Sequence, residues 1–482
     1  MVSYIQVSFE GAGAGTGGLA WGQQQVWRAI VEVGASMSMG GAVPVTDGRT
    51  VEDIAAELRF LMSRYAALRS RLVFTEPWHA TSVDACHLVQ QEIAAEGTAA
   101  LEVHDAGPDE DPAEIAGALF AEWKARNFDY AHEWPIREAV VRQDGAVTHV
   151  VVQISHLVAD GSALGTMIRS LFSRESPYTA MQPLDLVAAQ RSSSRTTDTA
   201  MRYWEAALRQ LPPRRLPAAV DRGEPRWRQV VWRSTALLLA SQRAAALLGT
   251  DTGSVLLAAY AVACNEVTGQ RAPFATQVIV SNRFRPGLAD VISPLAQNGL
   301  AVLDVAGLAP REVVDQARRA FLNASKHAYY DPAARLALFD RLGGVDLAVF
   351  YNDRRVGILE AQGPLAEVPA AADVEAARPL TALVSERPLP FFNEQLMVNV
   401  DDVVDTVQLT VEVDTHHLAM ADLHRLLLAM EAFAVAAALD QAGAPDETAA
   451  LDQAAVLGQA GTLGQAGTLG QAAALDQAVA ST

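Results

Sequence analysis

The sequence predicts an α/β protein built as two lobes. Its 482 residues exceed what one ordinary core accommodates and suit two lobes of about 200 residues each. Segments with the three-and-four apolar spacing of amphipathic helices occur together with β-rich apolar runs, a mixture typical of α/β folds. Apolar residues make up 50% of the chain and charged residues 19%. This is the balance of a globular protein rather than of a disordered or fibrous one.

The first part of the chain contains one predicted strand, a glycine-rich loop and three predicted helices. Residues 4–9 alternate in polarity, as half-buried strands do, and the glycine-rich loop follows at residues 11–18. Residues 21–31 are predicted to be helical. Apolar residues recur at three and four through residues 51–72, the clearest helical pattern in the chain, and again through residues 114–128.

A histidine follows directly after a predicted buried strand. Residues 146–154 are β-rich and apolar nearly throughout, so we expect a central strand. It leads into His156, and a histidine held at the end of a strand is well placed to act as a general base near neutral pH. Asp160 is suited to fix the loop through hydrogen bonds or a distant arginine, and Gly161 lets a ligand approach the backbone closely. A helix is predicted over residues 162–172.

A second set of elements follows a polar connection. Residues 174–198 are rich in Ser, Thr, Pro and Arg, and we interpret them as the link between the lobes. The second lobe is predicted to begin near Met201. Its predicted helices span residues 201–208, 240–248, 253–267, 310–326 and 422–439. Its predicted strands span residues 230–238, 275–280, 345–351 and 396–413.

The composition changes to Ala, Gly, Gln and Leu after the last predicted helix. A unit of Leu, then Gly or Asp, then Gln and Ala repeats every six residues from residue 451. Hexads also occur in left-handed β-helices, but short glycine-rich repeats bury too little surface to offset chain entropy. We therefore expect a mobile or partly helical tail. The predicted organisation is a first lobe over residues 1–178, a second over residues 179–440 and the tail over residues 441–482.

The charge of the chain excludes one class of partner. Lys and Arg number 37 against 56 Asp and Glu, a formal net charge of −19. Nucleic-acid binding is therefore not expected, because it requires a basic surface that displaces counterions. An acidic protein partner would need a local basic cluster. Candidates for such a cluster are Arg214, Arg215, Arg222, Arg226 and Arg228.

Two cysteines and the absence of long apolar runs indicate a cytoplasmic protein that does not enter the membrane. Cys86 and Cys264 are far apart and lack Cys-x-x-Cys or Cys/His spacing, so neither a disulfide framework nor a zinc site is expected. The N-terminus has no basic segment followed by an apolar run, and no stretch of 18 uninterrupted apolar residues occurs.

Two motif-like patterns are interpreted as accidental. Glycines 13, 15 and 18 spell Gly-x-Gly-x-x-Gly, but the distance to Glu32 is too short for the helix and second strand of a dinucleotide-binding unit. His416 and His417 precede Asp422, yet successive strand residues point to opposite faces, which disfavours a metal site. Asp422 is interpreted as a helix N-cap. No metal is expected.

The segment around His156 resembles the condensation domains of nonribosomal peptide synthesis, which share a His-His-x-x-x-Asp-Gly signature. Residues 153–162 match it except that Ser155 replaces the first histidine. Other segments resemble the remaining motifs of the family in the correct order, so that the resemblance runs from about residue 4 to residue 436. These segments are residues 21–27, 63–72, 183–189, 203–204, 281–283, 292–300 and 349–352.

This resemblance implies a fold and a reaction. The implied fold is a pair of chloramphenicol-acetyltransferase-like lobes in a V-shaped pseudo-dimer, with a central tunnel open at both faces. The implied reaction joins an acyl or aminoacyl thioester, carried on the 4'-phosphopantetheine of an acyl or peptidyl carrier protein, to a small amine or alcohol acceptor. No bound cofactor is expected. The setting would be the biosynthesis of nonribosomal peptides, including antibiotics.

The resemblance also assigns site residues. His156 would be the catalytic base, and Asp160 would pair with Arg283 to hold the active-site loop. Ser155 and Gly161 would belong to the structural part of the active site. Residues carried over as lining the tunnel or binding substrate are Trp21, Gln297, Asn298 and Asn352. The sequence leaves open whether Gln297 or Asn298 takes the family's asparagine position.

Two other functions remain open. The chain resembles a stand-alone condensation domain acting as a monomer on separately loaded carriers. The same fold also suits an acyl-CoA-dependent acyltransferase. Because Ser155 replaces a motif histidine, a non-catalytic protein that recruits carrier proteins or tailoring enzymes is a further alternative.

Overall fold

The computed structural model describes residues 2–174, 177–212, 216, 219, 221–270, 273–355 and 367–439. The helices are α1 (Trp21–Val33), α2 (Val51–Arg64), α3 (Pro112–Ala125), α4 (Gly161–Phe172), α5 (Pro183–Arg191), α6 (Ser194–Leu208), α7 (Thr235–Leu248), α8 (Thr252–Thr268), α9 (Pro310–Lys326), α10 (Pro332–Arg341), α11 (Ala371–Ala377) and α12 (Met420–Leu439). The strands are β1 (Val2–Glu10), β2 (Gly15–Gly18), β3 (Ser38–Pro44), β4 (Ser70–Val73), β5 (Gln90–Ile93), β6 (Glu96–Asp105), β7 (Ile136–Gln143), β8 (Ala146–Ser155), β9 (Trp227–Ser234), β10 (Phe274–Val280), β11 (Gln297–Leu303), β12 (Val349–Asp353), β13 (Ala382–Pro388), β14 (Leu396–Val400) and β15 (Val407–Asp414).

The first large sheet is built from strands of residues 2–155. Its order is β1-β6-β7-β8-β3, with β6 and β7 parallel and the other neighbours antiparallel. Apolar side chains of α1, α2 and α4 pack on one face, and those of α3 pack on the other. The strand β8 is therefore an interior strand, as its apolar run predicts. Its C-terminal end places His156 at the edge of the first sheet, next to the core formed with the helices.

The second large sheet is built from strands of residues 227–414. Its order is β11-β10-β12-β14-β15-β9-β13. The pairs β10-β12 and β12-β14 are parallel, and the other neighbours are antiparallel. The helices α7, α8, α9 and α12 pack their apolar side chains on one face of this sheet. A small third sheet has the order β2-β5-β4.

Several predicted elements are confirmed. The strand predicted at residues 4–9 is β1, and that predicted at residues 275–280 is β10. The helices predicted at residues 253–267 and 310–326 are α8 and α9, the latter with the same bounds.

The long helix predicted over residues 51–72 is wrong in its second half. The helix α2 ends at Arg64, and Tyr65 has an extended backbone. A short 3₁₀ turn follows, and β4 then pairs with β5. The N–H of Leu72 donates to the carbonyl of Tyr130 at 2.7 Å. These non-local hydrogen bonds outweigh the helical spacing of the apolar residues.

The stretch at residues 174–198, interpreted from the sequence as the link between the lobes, is partly helical, and its role as a link stays a prediction. This stretch contains α5 and the first turn of α6. Leu186 is fully buried, and Trp204, further along α6, is fully buried as well. Both helices are therefore anchored by core side chains despite their Ser- and Thr-rich composition.

Three strand predictions and the glycine loop need correction. The strand predicted over residues 230–238 ends at Ser234, whose hydroxyl accepts a hydrogen bond from the N–H of Leu237 at 2.8 Å and begins α7. The strand predicted over residues 396–413 is two strands, β14 and β15, joined by a turn. The strand predicted from residue 345 begins at Val349. The loop at residues 11–18 contains the short strand β2.

Some predictions fall outside the described residues, and others stay predictions. The tail at residues 441–482, Arg214 and Arg215 lie outside them. The division of the chain at residues 178 and 440 stays a prediction.

Among the described helices, no single one has the length and apolar character needed to cross a bilayer. Only α7 and α8 taken together, bent by 112°, reach that threshold. Both of them contribute side chains to the core on the second sheet.

A buried carboxyl group in β7 makes the stability of the first sheet depend on pH. Glu138 is 6% exposed, and its Oε2 accepts no hydrogen bond in the part of the chain that the structure describes. Burial, together with the nearby Glu57, raises the pKa of this carboxyl from 4.5 to about 8. Between those values the folded protein holds a proton that the unfolded chain releases. The free energy of unfolding therefore falls as the pH rises through this window.

We predict that Glu138→Gln removes this pH dependence. The variant should gain thermal stability over the wild type at pH 8.5 and gain less at pH 5.5, because its side chain stays neutral at both. Thermal denaturation at the two pH values measures the effect. Glu122→Gln, at an exposed position of α3, is the control and should show no such difference. An equal shift at both pH values for Glu138→Gln would contradict the account.

Candidate active site

His156 lies in the turn after β8, and backbone groups fix its position. Its N–H donates to the carbonyl of Met37 at 2.9 Å, which extends the pairing of β8 with β3 by one residue. Its Nδ1 lies 2.8 Å from the carbonyl oxygen of Ala159. A carbonyl only accepts, so Nδ1 carries the proton and Nε2 of the neutral ring keeps a free lone pair. The ring is half-buried.

Ser155 supports the same turn from inside. It is fully buried, and its Oγ accepts a hydrogen bond from the N–H of Leu157 at 3.2 Å. Its Oγ also lies 3.4 Å from the hydroxyl of Tyr130. The small hydroxyl therefore satisfies a backbone donor of the histidine turn and packs against an aromatic side chain of the first core.

The predicted ion pair between Asp160 and Arg283 is present and buried. Oδ1 of Asp160 lies 2.5 Å from Nη2 of Arg283, and the two side chains are 8% and 11% exposed. Oδ1 also accepts the N–H of Ala163 at 2.8 Å and so caps α4, while Oδ2 accepts the N–H of Leu295 at 3.0 Å. One carboxylate thus joins the histidine turn to the segment before β11.

The guanidinium of Arg283 holds that segment in a curve. Nη1 donates to the carbonyls of Ala289 at 3.1 Å and Val291 at 2.9 Å. Nη2 donates to the carbonyl of Ser293 at 3.2 Å as well as to Asp160. The charge is therefore compensated by one carboxylate and three carbonyl dipoles, which buried ions require.

Gly161 begins α4 with open space beside it. A Cβ built at this position meets no atom of the described residues within 4 Å. Its backbone conformation also does not require glycine, since its φ is not positive. No packing or backbone demand therefore explains the glycine, which fits the predicted role of leaving room for a ligand.

The structure places Trp21 in packing contact between several elements. It is 6% exposed, and its N–H donates to Oε1 of Gln190 at 2.9 Å. Its ring meets that of Tyr329 edge to face, with centroids 4.8 Å apart. Most of the indole is thus used in packing α1 against α5 and the turn before α10. A role in lining a tunnel stays a prediction.

Gln297 and Asn298 lie on opposite faces of β11. Gln297 is 1% exposed, and its amide exchanges hydrogen bonds with the backbone of Tyr330, at 2.8 Å to the carbonyl and 3.4 Å from the N–H. Asn298 is partly exposed, and its Nδ2 donates to Oε1 of Gln277 at 3.0 Å. Gln297 therefore holds a neighbouring turn, whereas Asn298 belongs to the other face of β11, on which Leu300 packs with residues of α6 and α10.

Asn352 is part of a polar row on the same face as Asn298. Its Nδ2 donates to Oδ1 of Asn399 at 3.0 Å, and Nδ2 of Asn399 donates to Oε2 of Glu412 at 2.9 Å. Oε1 of Glu412 in turn accepts from Gln229 at 2.9 Å. Burial raises the pKa of Glu412, whereas its hydrogen bond with Gln229 lowers it. The row crosses β12, β14, β15 and β9.

The sequence analysis missed Gln277, Asn399 and Glu412 as neighbours of the predicted residues. A signal was present for Asn399 and Glu412, because each is a polar residue between apolar ones in a strand, as in Val398-Asn399-Val400, whereas Gln277 follows the polar Thr276. Such alternation marks the side of a sheet that is not packed by the core.

The two motif-like patterns have structural roles. Glycines 15 and 18 pair with β5. His416 lies 3.4 Å from Glu224 and His417 lies 4.0 Å from Asp414. Within the described residues no group of three or more His, Cys, Asp or Glu side chains is arranged to hold a metal ion.

Comparison with known families gives one match over most of the chain. A family model described as "Condensation domain" matches residues 42–331. No curated protein matches the sequence.

Solved structures with a similar fold include domains of polyketide synthases and of nonribosomal peptide synthetases. One is described as the basis of condensation domain-mediated chain release from the enacyloxin polyketide synthase; it is 18% identical, with a TM-score of 0.64, and the match covers 90% of this chain and 84% of that one. The cyclization-docking bidomain of EpoB from Sorangium cellulosum is 17% identical, with a TM-score of 0.61 and coverage of 90% and 88%. SgcC5 from Streptomyces globisporus is 18% identical, with a TM-score of 0.61 and coverage of 87% and 98%. At such identities the likeness shows the fold alone. The predicted α/β fold is thereby confirmed.

We predict that Arg283→Ala destabilises the protein by about 3–5 kcal/mol, because it leaves the carboxylate of Asp160 buried without its partner. Chemical denaturation measures the change. Arg378→Ala is the control, since Arg378 pairs with Glu375 at the surface with about half of each side chain exposed. That pair should contribute less than about 1 kcal/mol. Equal stability of Arg283→Ala and wild type would refute the structural role of the buried pair.

Proposed function

Because the chain belongs to the condensation-domain family, we propose that it catalyses condensation-type acyl transfer with His156 as the base. The observation that carries the proposal is the contact between Nδ1 of His156 and the carbonyl of Ala159. It sets the tautomer in which Nε2 accepts a proton. Condensation domains act in nonribosomal peptide and polyketide biosynthesis and are generally acyltransferases.

The proposed reaction needs one proton relay. The nitrogen or oxygen of the acceptor attacks the thioester carbonyl, a C–N or C–O bond forms, and the C–S bond breaks. Nε2 of His156 takes the proton of the nucleophile, and the resulting N–H returns it to the leaving thiolate. While protonated, the ring also donates a hydrogen bond to the tetrahedral species. Since a thioester is already activated, alignment of the two reactants supplies most of the remaining rate.

The proposed substrates approach from two sides. We place the reaction in a tunnel between two lobes arranged as a V, with the donor arm reaching His156 past Gly161. The open space beside Gly161 supports this route. The acceptor side would be lined by the partly exposed Asn298 and Asn352 and their polar neighbours. A face with so many amide groups favours an acceptor that forms hydrogen bonds over a purely hydrocarbon one.

The donor is proposed to arrive on a carrier protein, with coenzyme A as the alternative carrier of the same thioester. Recruitment of carriers without bond formation is the second candidate function. The replacement of the first motif histidine by Ser155 favours that alternative. Retention of a correctly oriented His156 favours catalysis, since the proton transfer requires only this second histidine.

We predict that His156→Ala loses about 10²–10⁴-fold in turnover, the usual contribution of a positioned general base. Intact-mass spectrometry of the donor-loaded carrier, with candidate amines and alcohols, measures the product. His149→Ala is the control, because His149 lies on β8, the strand that leads to His156, and is also partly buried. A parallel series with acyl-coenzyme A separates the two donor types. Turnover that survives in His156→Ala, or its absence in the wild type with both donors, would contradict the proposal.

We predict that Gly161→Ala lowers kcat/KM by about tenfold or more while leaving thermal stability unchanged or slightly higher. The added methyl group enters open space, so only a substrate meets it. Gly117→Ala is the matched control: Gly117 lies within α3 and its Cβ would also meet nothing within 4 Å among the described residues. Wild-type kinetics for Gly161→Ala would rule out passage of the donor beside this residue.

A further inference from the structure

The second half of α9 exposes three cations that form no ion pair with a described residue, although Asp315 lies one turn before Arg318 and Arg319. Arg318, Arg319 and Lys326 are exposed, and none of them forms an ion pair with any residue that the structure describes. The chain as a whole carries a net charge of −19. The acidic residues of the helix, Glu312 and Asp315, lie in its first half.

Apolar side chains share this surface. Leu322 is 58% exposed and Phe321 is 39% exposed. Leu322 follows Arg319 by three residues and precedes Lys326 by four, so the three side chains lie on one face of the helix. Exposed apolar residues flanked by charges mark interaction sites more often than scattered ones do.

A second segment extends this surface toward the candidate active site. Nη2 of Arg285 donates to the carbonyls of Ser325 and Lys326, both at 3.0 Å, and holds its own loop against the end of α9. The neighbouring Phe284 is 64% exposed. The residue before it is Arg283, which binds Asp160. We call the combined surface the α9 patch; it consists of Phe284, Arg318, Arg319, Phe321, Leu322 and Lys326.

Two arginines of the basic cluster expected from the sequence already form ion pairs with acidic residues of this chain. Arg226 pairs with Asp414, and Arg228 pairs with Glu386. The charges of Arg226 and Arg228 are therefore compensated within the chain, whereas Arg222 is exposed and forms no ion pair with a described residue. Those of the α9 patch are not compensated by ion pairs among the described residues, and at physiological salt they act only over about 8 Å.

We propose that the α9 patch is the docking surface for an acidic carrier protein. This inference rests on the proposed acyl transfer and names where its partner binds. Charge complementarity favours an acidic partner, and the apolar residues supply the contact from which water is excluded. The net charge of −19 disfavours an extended anionic partner such as a nucleic acid. A carrier seated there is next to the segment that holds the histidine turn.

Binding of a carrier protein tests the patch by single charge reversals. The probe is the fluorescently labelled holo carrier protein encoded nearest to this chain's own gene, titrated with full-length protein by fluorescence anisotropy. Arg318→Glu and Arg319→Glu should each raise Kd by about tenfold at low salt, as expected where opposite charges meet. Arg311→Glu is the matched control, since Arg311 is an exposed arginine of the same helix outside the patch; its Kd should stay within about twofold of the wild type. Leu322→Ser tests the apolar part without changing charge and should also weaken binding.

The outcomes separate failure of the patch from failure of the catalytic proposal. Equal affinities of Arg319→Glu and Arg311→Glu, or no binding by the wild type at low salt, would overturn the patch. Patch-dependent binding to phosphatidylserine vesicles without binding to the carrier would overturn it in favour of a lipid surface. His156→Ala should bind the carrier like the wild type. If it also retains turnover, the base assignment fails while the docking surface stands.

Discussion

The arrangement of the candidate site depends on one buried ion pair, between Asp160 and Arg283. Two charges taken out of water are costly, and hydrogen bonds from other groups offset much of that cost, although Nε of Arg283 has no partner among the described residues. Here the carboxylate accepts from Arg283, from the first turn of α4 and from Leu295. The guanidinium also donates to three carbonyls. Because the two charges come from segments 123 residues apart, the contact fixes the histidine turn relative to the second sheet.

The position of His156 follows from that constraint and from backbone hydrogen bonds. The turn is tied to β3 through Met37 and capped from within by Ser155. The imidazole is oriented by the carbonyl of Ala159 rather than by a neighbouring histidine or carboxylate. A ring oriented in this way does not need a neighbouring histidine to hold it, so the proposed role of His156 as a base is compatible with Ser155.

Many charged residues that the structure describes occur in one of two settings, either in ion pairs between elements or exposed without an ion pair. Ion pairs such as Arg226 with Asp414 link neighbouring elements and leave little net field. The end of α9 differs, because its cations face solvent beside apolar side chains and no described acidic group pairs with them. Net charge alone therefore gives a poor account of possible partners. Within a Debye length, the attraction of a partner depends on the local arrangement of charges. That arrangement depends on how α9 packs on the second sheet.

The sequence by itself determined those features that depend on neighbouring residues. The bounds of α9 and the strand before His156 follow from periodicity and from local composition, and the family resemblance named Arg283 as the distant partner of Asp160. Only the tertiary structure decided where α2 ends, since the hydrogen bonds of β4 come from strands remote in sequence. It likewise decided that Gln297 holds a turn whereas Asn298 lies on the polar face, and it revealed β13, whose wholly exposed residues carry no burial pattern. The reason is physical: local spacing specifies helices and turns, whereas the pairing of strands and the facing of side chains depend on contacts between distant segments.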